Sequence, residues 1–322
     1  MSTPLVAAVD RTLPTLVETP VQEFWRVFLK DRLAVMGLIV LVLLLLTALA
    51  GKALTEWAPP FDPATVRLVD KLRAPFASAS DLVPDADKPL GGVYVLGTDE
   101  LGRDVFARML QGASVSLLIG FVAVGISTFI GILLGGLAGY YGSVRLGIVS
   151  VDTVIMRFTD VMLCFPTFFL ILTVVALLPP SIYNIMAVIG LTSWMGTTRF
   201  VRAEFLALRG QDFVVAGQAL GLPEWRIIFR HMMPNALSPV LVSATIAVAD
   251  AILTESALSF LGFGVQPPFA TWGNILSDGK DYIFDAPWLF FIPGTAILLV
   301  VLAFNLVGEG FREALNPKLR SR

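Results

Sequence analysis

Residues 33–50 carry no charged side chain, and neither do residues 115–141 or 286–308. A helix needs roughly 20 apolar residues to cross the hydrocarbon of a bilayer, so a chain that repeats such runs is built around several spanning helices. Composition agrees. The 322 residues are 56% hydrophobic and 15% charged, with a mean hydropathy of +0.79, far too apolar for an ordinary water-soluble domain. The expectation is an all-α polytopic membrane protein. A net charge of −2 gives no electrostatic case for nucleic acid. One cysteine, Cys164, excludes an intrachain disulfide and a multi-thiolate metal site. One histidine, His231, excludes a His-rich metal site and argues against a Ser-His-Asp hydrolase, and its plain reading is a helix-terminal contact. Neither a metal site nor a catalytic constellation is expected.

Taken in order, residues 1–32 form a polar segment in which Pro4, Pro14 and Pro20 interrupt any long helix. It ends in Arg26, Lys30 and Arg32, which place the start of the chain in the cytoplasm. The first span is 33–50. Ala48-Leu49-Ala50 resembles a processing site, but the apolar run exceeds the ~7 to 15 residues of a cleaved signal, so an uncleaved span is preferred. Residues 51–112 form an external loop with seven basic and nine acidic side chains. Its end, 98–104, holds helix-start residues, and Val105, Phe106, Met109 and Leu110 then predict a short helix on the membrane surface.

Residues 113–310 form the core. The second span, 115–141, carries Gly131, Gly135 and Gly139 at intervals of four, a stripe that lets another helix approach closely. A turn at 142–145 leads to a third span reaching residue 178, Pro179-Pro180-Ser181 makes an external turn, and 182–194 returns as the fourth span. Arg199 and Arg202 mark its cytoplasmic end. Residues 237–263 and 286–308 are the fifth and sixth spans. The loop between them has Asp278, Asp281 and Asp285 against Lys280, which fits the external side. Residues 311–322, with Arg312, Lys318, Arg320 and Arg322, are a cytoplasmic tail, so both termini lie inside.

Between the fourth and fifth spans lies a polar island, 205–235. Residues 213–220 have helical spacing, Gly221 suits a helix C-terminus, and Pro223 with Glu224 starts a second short helix that holds Arg226 and Arg230 and stops at Pro234. Flanked by spans, this is a loop presented to water, and a soluble partner is its natural reader.

Three carboxylates stand inside apolar segments: Asp160, Asp250 and Glu255. On a lipid face each would cost on the order of 2.5 to 3.5 kcal/mol, so they should face the bundle or a wet cavity. Asp160 has Arg157 one turn earlier, and a local pair is its simplest account. For Asp250 and Glu255, a contact between helices is preferred over contact with a transported molecule, and both readings stay open. No chain of ionisable groups leads across the membrane from them. The chain also lacks a Gly-x-x-x-x-Gly-Lys-Ser/Thr loop, so any ATP hydrolysis belongs to another subunit.

The segments Ala216-Gly217, Ala219-Leu220-Gly221 and 227–235 are similar to the Glu-Ala-Ala loop of permease subunits in binding-protein-dependent ATP-binding-cassette importers. Residues 96–105, 253–262, Gln266-Pro267-Pro268, Trp272-Gly273 and 301–310 resemble the dipeptide, oligopeptide and nickel branch of that family. The likeness runs from about residue 24 to 319. It implies a type I importer permease fold with six transmembrane helices in the cytoplasmic (inner) membrane of a prokaryote. It also implies an ATPase-coupling loop made of Asp212, Phe213, Val214, Val215, Ala216, Gly217, Gln218, Ala219, Leu220 and Gly221, with Arg226 and Arg230 beside it. The implied partners are two cytoplasmic ATPase subunits that hold ATP and magnesium, a second, related permease that the glycine stripe would suit, an extracytoplasmic solute-binding protein and membrane lipid. Peptides are the first choice of substrate; nickel chelates, glutathione and oligosaccharides are alternatives. Val215 stands where the family has its Glu, and Gly217 where it has the second Ala. An ion-driven transporter and a membrane receptor or scaffold are the readings from other classes.

Overall fold

The computed structural model describes residues 19–57 and 61–315; Pro4, Pro14, Lys318, Arg320 and Arg322 lie outside the described residues. The described residues are mostly helical, apart from the loop 61–104. Helix α1 (Pro20–Phe28) opens on a capping box in which Thr19 and Gln22 exchange backbone and side-chain hydrogen bonds. Its Phe24 and Phe28 pack on Phe311 with ring centroids 5.6 and 5.3 Å apart. The end of the polar N-terminal segment is therefore an amphipathic helix docked on the last one.

Four stretches among the described residues are long and apolar enough to cross a membrane: α2 (Arg32–Trp57), α3 (Val105–Tyr140), Glu224–Phe260 and α12 (Trp288–Leu315). A fifth candidate is the pair α4 (Val151–Leu163) and α5 (Thr167–Leu177), bent by 80°. The expected straight third span is thus broken. Pro166 stands at the bend, where it has no N–H to continue the ladder and its ring crowds the preceding turn. After Pro179-Pro180 the chain continues as α6 (Ile182–Thr192), breaks at Ser193-Trp194, and runs on as α7 (Met195–Arg209).

The surface helix expected before the second span is the start of α3 itself. Nothing in residues 105–115 breaks the ladder: Gly112 meets the Trp272 indole, and Val105 packs with Ala286 and Leu289 in a buried cluster. At 36 residues α3 is about 54 Å long, which carries its first turns beyond a ~30 Å hydrocarbon core. The glycine stripe is occupied within the chain. A Cβ on Gly131 would meet Thr197 at 2.6 Å, one on Gly135 would meet Val201 at 2.8 Å, and one on Gly139 would meet Phe205 at 2.5 Å. The stripe therefore seats α7, and is not free for a second permease.

One end of the bundle is closed by the loop 61–104 together with α11 (Trp272–Gly279). Short strands β1 (Ala77–Ser78) and β2 (Val93–Tyr94) pair antiparallel, and buried Asp70 accepts from Tyr94 Oη at 2.8 Å and from Ser80 N at 3.0 Å. Burial and the Asp70 carboxylate raise the Tyr94 hydroxyl above its ordinary pKa. Asp99 takes Arg103 Nε and Arg108 Nη1 at 2.6 Å each, and Arg108 reaches Asp278 of α11 at 2.9 Å. This ties loop, α3 and α11 into one knot. Asp104 caps α3 through Phe106 N at 2.9 Å, and burial pushes its carboxyl up to about 6. At the opposite end lie α1, a two-residue hairpin of β3 (Arg145–Leu146) and β4 (Val149–Ser150), and the polar island.

Candidate functional site

The island is a helix, a turn and a second helix. In α8 (Asp212–Ala219) only Val214 and Gly217 are buried, against Phe205, Ile227 and Met232. The turn is set by Gly221, whose φ of +71° is the left-handed conformation that a side chain disfavours. Gly221 N–H donates to Gln218 O at 3.0 Å and Leu222 N–H to Gly217 O at 3.1 Å. This pair of bonds closes α8 as a Schellman motif. The predicted turn forms as expected.

Pro234 does not end the second helix. Helix α9 (Glu224–Arg226) runs through a π-turn at Ile227–Met232 into α10 (Met233–Phe260) without interruption. Pro234 lacks an N–H, so an α-helical register would leave a carbonyl one turn earlier unpaired. Widening the turn, with Met233 N–H bonded to Ile228 O, accommodates the ring at the start of α10. The island and the fifth span are thereby one continuous 37-residue stretch.

Its outer surface is apolar. Phe213, Val215, Leu220, Trp225 and Phe229 are all exposed, Leu220 by 80%. Arg226 lies over the Trp225 ring at 5.5 Å, and Arg226 and Arg230 border the patch in solvent. Asp212, Ala216, Gln218 and Ala219 are exposed on the same short helix. Trp225 and Phe229 escaped the sequence reading, although their spacing of four residues on a polar loop was the available signal. The island is braced from below by Tyr141, whose hydroxyl donates to Glu224 Oε2 at 2.8 Å; that acceptor raises the phenol above its ordinary pKa. His231 contributes a backbone carbonyl, which accepts from Asn235 Nδ2 at 2.6 Å.

The three carboxylates sit in three different places. Asp160 has Arg157 at 3.7 Å, as the spacing predicts, but the closer partner is Arg199 of α7 at 2.5 Å. Asp152, not singled out in the sequence, holds Arg202 through both guanidinium nitrogens, with Nη2–Oδ2 at 2.6 Å. Together these pairs strap α4 to α7. Glu255 is fully buried, accepting from Ser259 Oγ at 2.7 Å and from Ser116 Oγ of α3 at 3.4 Å. It is a contact between helices. Asp250 faces a cavity of about 410 Å³.

These features define a polytopic α-helical membrane protein in which one long apolar helix continues into an exposed apolar surface at one end. Residues 128–321 match the family described as binding-protein-dependent transport system inner membrane component, and residues 19–75 match the N-terminal TM domain of oligopeptide transport permease C. The chain belongs to the first of these families. It is 38% identical over 303 residues to the dipeptide transport system permease protein DppC of Alkalihalophilus pseudofirmus, covering 94% of this chain and 91% of the relative. It is 39% identical over 309 residues to the di/tripeptide transport system permease protein DppC of Pseudomonas aeruginosa, covering 96% of each. A glutathione transport system permease protein, GsiD of Pectobacterium atrosepticum, is 36% identical over 318 residues, covering 96% of each.

Proposed function

We propose that the chain is one transmembrane permease subunit of an ATP-driven importer, moving peptides handed over by an extracytoplasmic binding protein across the cytoplasmic membrane by alternating access. The peptide reading draws on the dipeptide and di/tripeptide relatives. Six spans are assigned by counting α2, α3, α4 with α5, α6 with α7, α9 with α10, and α12. Both termini are then cytoplasmic. The charge distribution supports this orientation: Arg26, Lys30, Arg199, Arg202, Arg209, Arg226, Arg230 and Arg312 all belong to the island end. ATP and magnesium belong to two cytoplasmic ATPase subunits, a second permease completes the pathway, and no catalytic residue is assigned to this chain.

One observation carries the reading: the exposed apolar patch of Phe213, Val215, Leu220, Trp225 and Phe229. A patch of this kind on a water-facing loop marks a protein interaction site, and here it would fill a groove in an ATPase subunit. Val215 lies on that patch, so an apolar contact replaces the carboxylate of the family pattern. Movement of the ATPase pair would enter through α7 and α9, which leave the island at either side.

Gly221→Pro tests this. Proline cannot adopt a φ of +71° and cannot donate to Gln218 O. The variant should insert and assemble, while peptide-stimulated ATP hydrolysis in reconstituted complexes falls at least about tenfold, a loss of ~1.4 kcal/mol or more of coupling. Undiminished stimulation would refute the assigned role.

A further inference from the structure

Asp250 stands ten residues before the end of α10 (Met233–Phe260), roughly 15 Å along the helix from its terminus. Its side chain has no hydrogen-bond or ion-pair partner among the described residues; only its backbone carbonyl is engaged, by Thr254 Oγ1 at 2.8 Å. An ionisable group at such depth faces a wet path or a partner, because lipid contact would cost on the order of 2.5 to 3.5 kcal/mol. What it faces is the cavity of about 410 Å³, a volume within the usual ~300 to 1,000 Å³ range of ligand pockets.

That cavity exists because two helices are broken beside it. The bend between α4 and α5 and the break between α6 and α7 leave Leu163, Thr167, Ser193 and Gly196 on its wall. Discontinuous helices of this sort are how membrane proteins open a polar space at depth. The wall is mostly apolar, and its polar groups are hydroxyls around one carboxylate. Ser127, Thr192 and Thr254 each donate their hydroxyl proton to their own helix, to Val124 O, Val188 O and Asp250 O. What these oxygens have left to offer the cavity is lone pairs. No lysine, arginine or histidine lines the cavity. Thr167 and Ser193 add hydroxyls with no partner among the described residues, and the exposed Asp250 carboxylate is the one charged group on the wall.

We propose that Asp250 and these hydroxyl oxygens form a subsite for a primary ammonium group of the transported molecule. The inference rests on the peptide-importer reading, and it names the end of the peptide that the permease recognises. A free α-amino group, with an ordinary pKa near 7.7 to 8.0, is largely charged at neutral pH and brings three N–H donors. A lysine or arginine from the second permease is the competing occupant.

The test uses the whole complex, with its ATPases, second permease and binding protein, in proteoliposomes. Dipeptide uptake and ATP hydrolysis are measured together for wild type, Asp250→Asn and Asp250→Glu. The expected result is that Asp250→Asn assembles normally but moves about tenfold less peptide per ATP hydrolysed, and that Asp250→Glu recovers at least half of the wild-type ratio. Wild-type uptake with an unchanged ratio in Asp250→Asn overturns the subsite alone. Failure of Asp250→Asn to assemble with the second permease also overturns it, in favour of an ion pair between subunits. A wild-type complex that hydrolyses ATP but takes up no dipeptide overturns the peptide reading, and the subsite with it.

Discussion

Arginine–aspartate pairs tie helices together at both ends of the bundle, under opposite conditions. In the loop knot the Asp99 side chain is 0% exposed and that of Arg108 is 4%, and one carboxylate serves two guanidinium groups. At the island end, Asp152 holds Arg202 and Asp160 holds Arg199 with Arg157 beside it, and the side chains are wetter: Arg199 is 53% exposed and Asp160 41%. Charges removed from water hold only as a complete set, because losing one member leaves another buried and unpaired. Charges that stay wet can part and find water, at a cost of about 1 kcal/mol or less. The same residue types therefore make a fixed joint on one side and a releasable strap on the other. The releasable side is the one that carries the exposed apolar patch of the island.

This contrast can be broken experimentally, most sharply at the knot. Asp99→Ala removes the closer of the two carboxylates that Arg103 and Arg108 share, leaving Asp278 at 3.3 and 2.9 Å, and should cost ~3 kcal/mol. Thermal unfolding of the detergent-purified protein should show a large loss of folded material; a melting curve like that of wild type would mean that the knot is not a joint. A smaller effect comes from pH. Asp104 titrates at about 6 in place, against an ordinary 3.8. A raised carboxyl pKa contributes stability that is complete below about 4 and is lost as pH rises through 6. The difference of about 2 units corresponds to roughly 3 kcal/mol at most. Burial and the neighbouring Asp99 raise Glu100 in the same direction. Melting measured from pH 4 to 7.5 should therefore decline toward neutrality, and Asp104→Asn, which keeps a capping oxygen, should flatten the curve. If the slope persists in that variant, the dependence lies elsewhere. The mildest effect belongs to the strap. Arg199→Ala, at the more exposed of the two pairs, should lower stability by only ~0.2 to 1 kcal/mol, and a loss as large as that of Asp99→Ala would erase the contrast.

Much of this was legible in the sequence, and the exceptions share causes. The apolar runs located the long helices, and Gly221 announced its turn, because both are set by local properties of the chain. The α4–α5 bend was signalled by Pro166, yet the hydropathy of the flanking residues masked it. Pro234 misled in the other direction, since the widened turn that absorbs it depends on a register no local pattern displays. Gly131, Gly135 and Gly139 correctly announced a close helix approach, but not that the approaching helix is α7 of the same chain. The Asp160–Arg199 and Asp152–Arg202 pairs join residues 39 and 50 positions apart, a proximity that only the folded chain creates. At the island, residue types located the loop, while the exposure of Trp225 and Phe229 depends on which face the bundle covers.

The π-turn has a consequence for motion. By joining the island to α10, it makes Glu224–Phe260 one helical rod about 55 Å long, with Pro239 inside it. Take the buried Glu255 contact with Ser116 as a fulcrum. The input arm, from Glu224 to Glu255, measures about 46 Å, and the arm from Glu255 to Asp250 about 7 Å. If the rod turns rigidly about that fulcrum, a swing at the island is reduced about sixfold at Asp250. Geared that way, a wide swing at the island would become a small displacement beside the cavity, reversing direction only beyond Glu255.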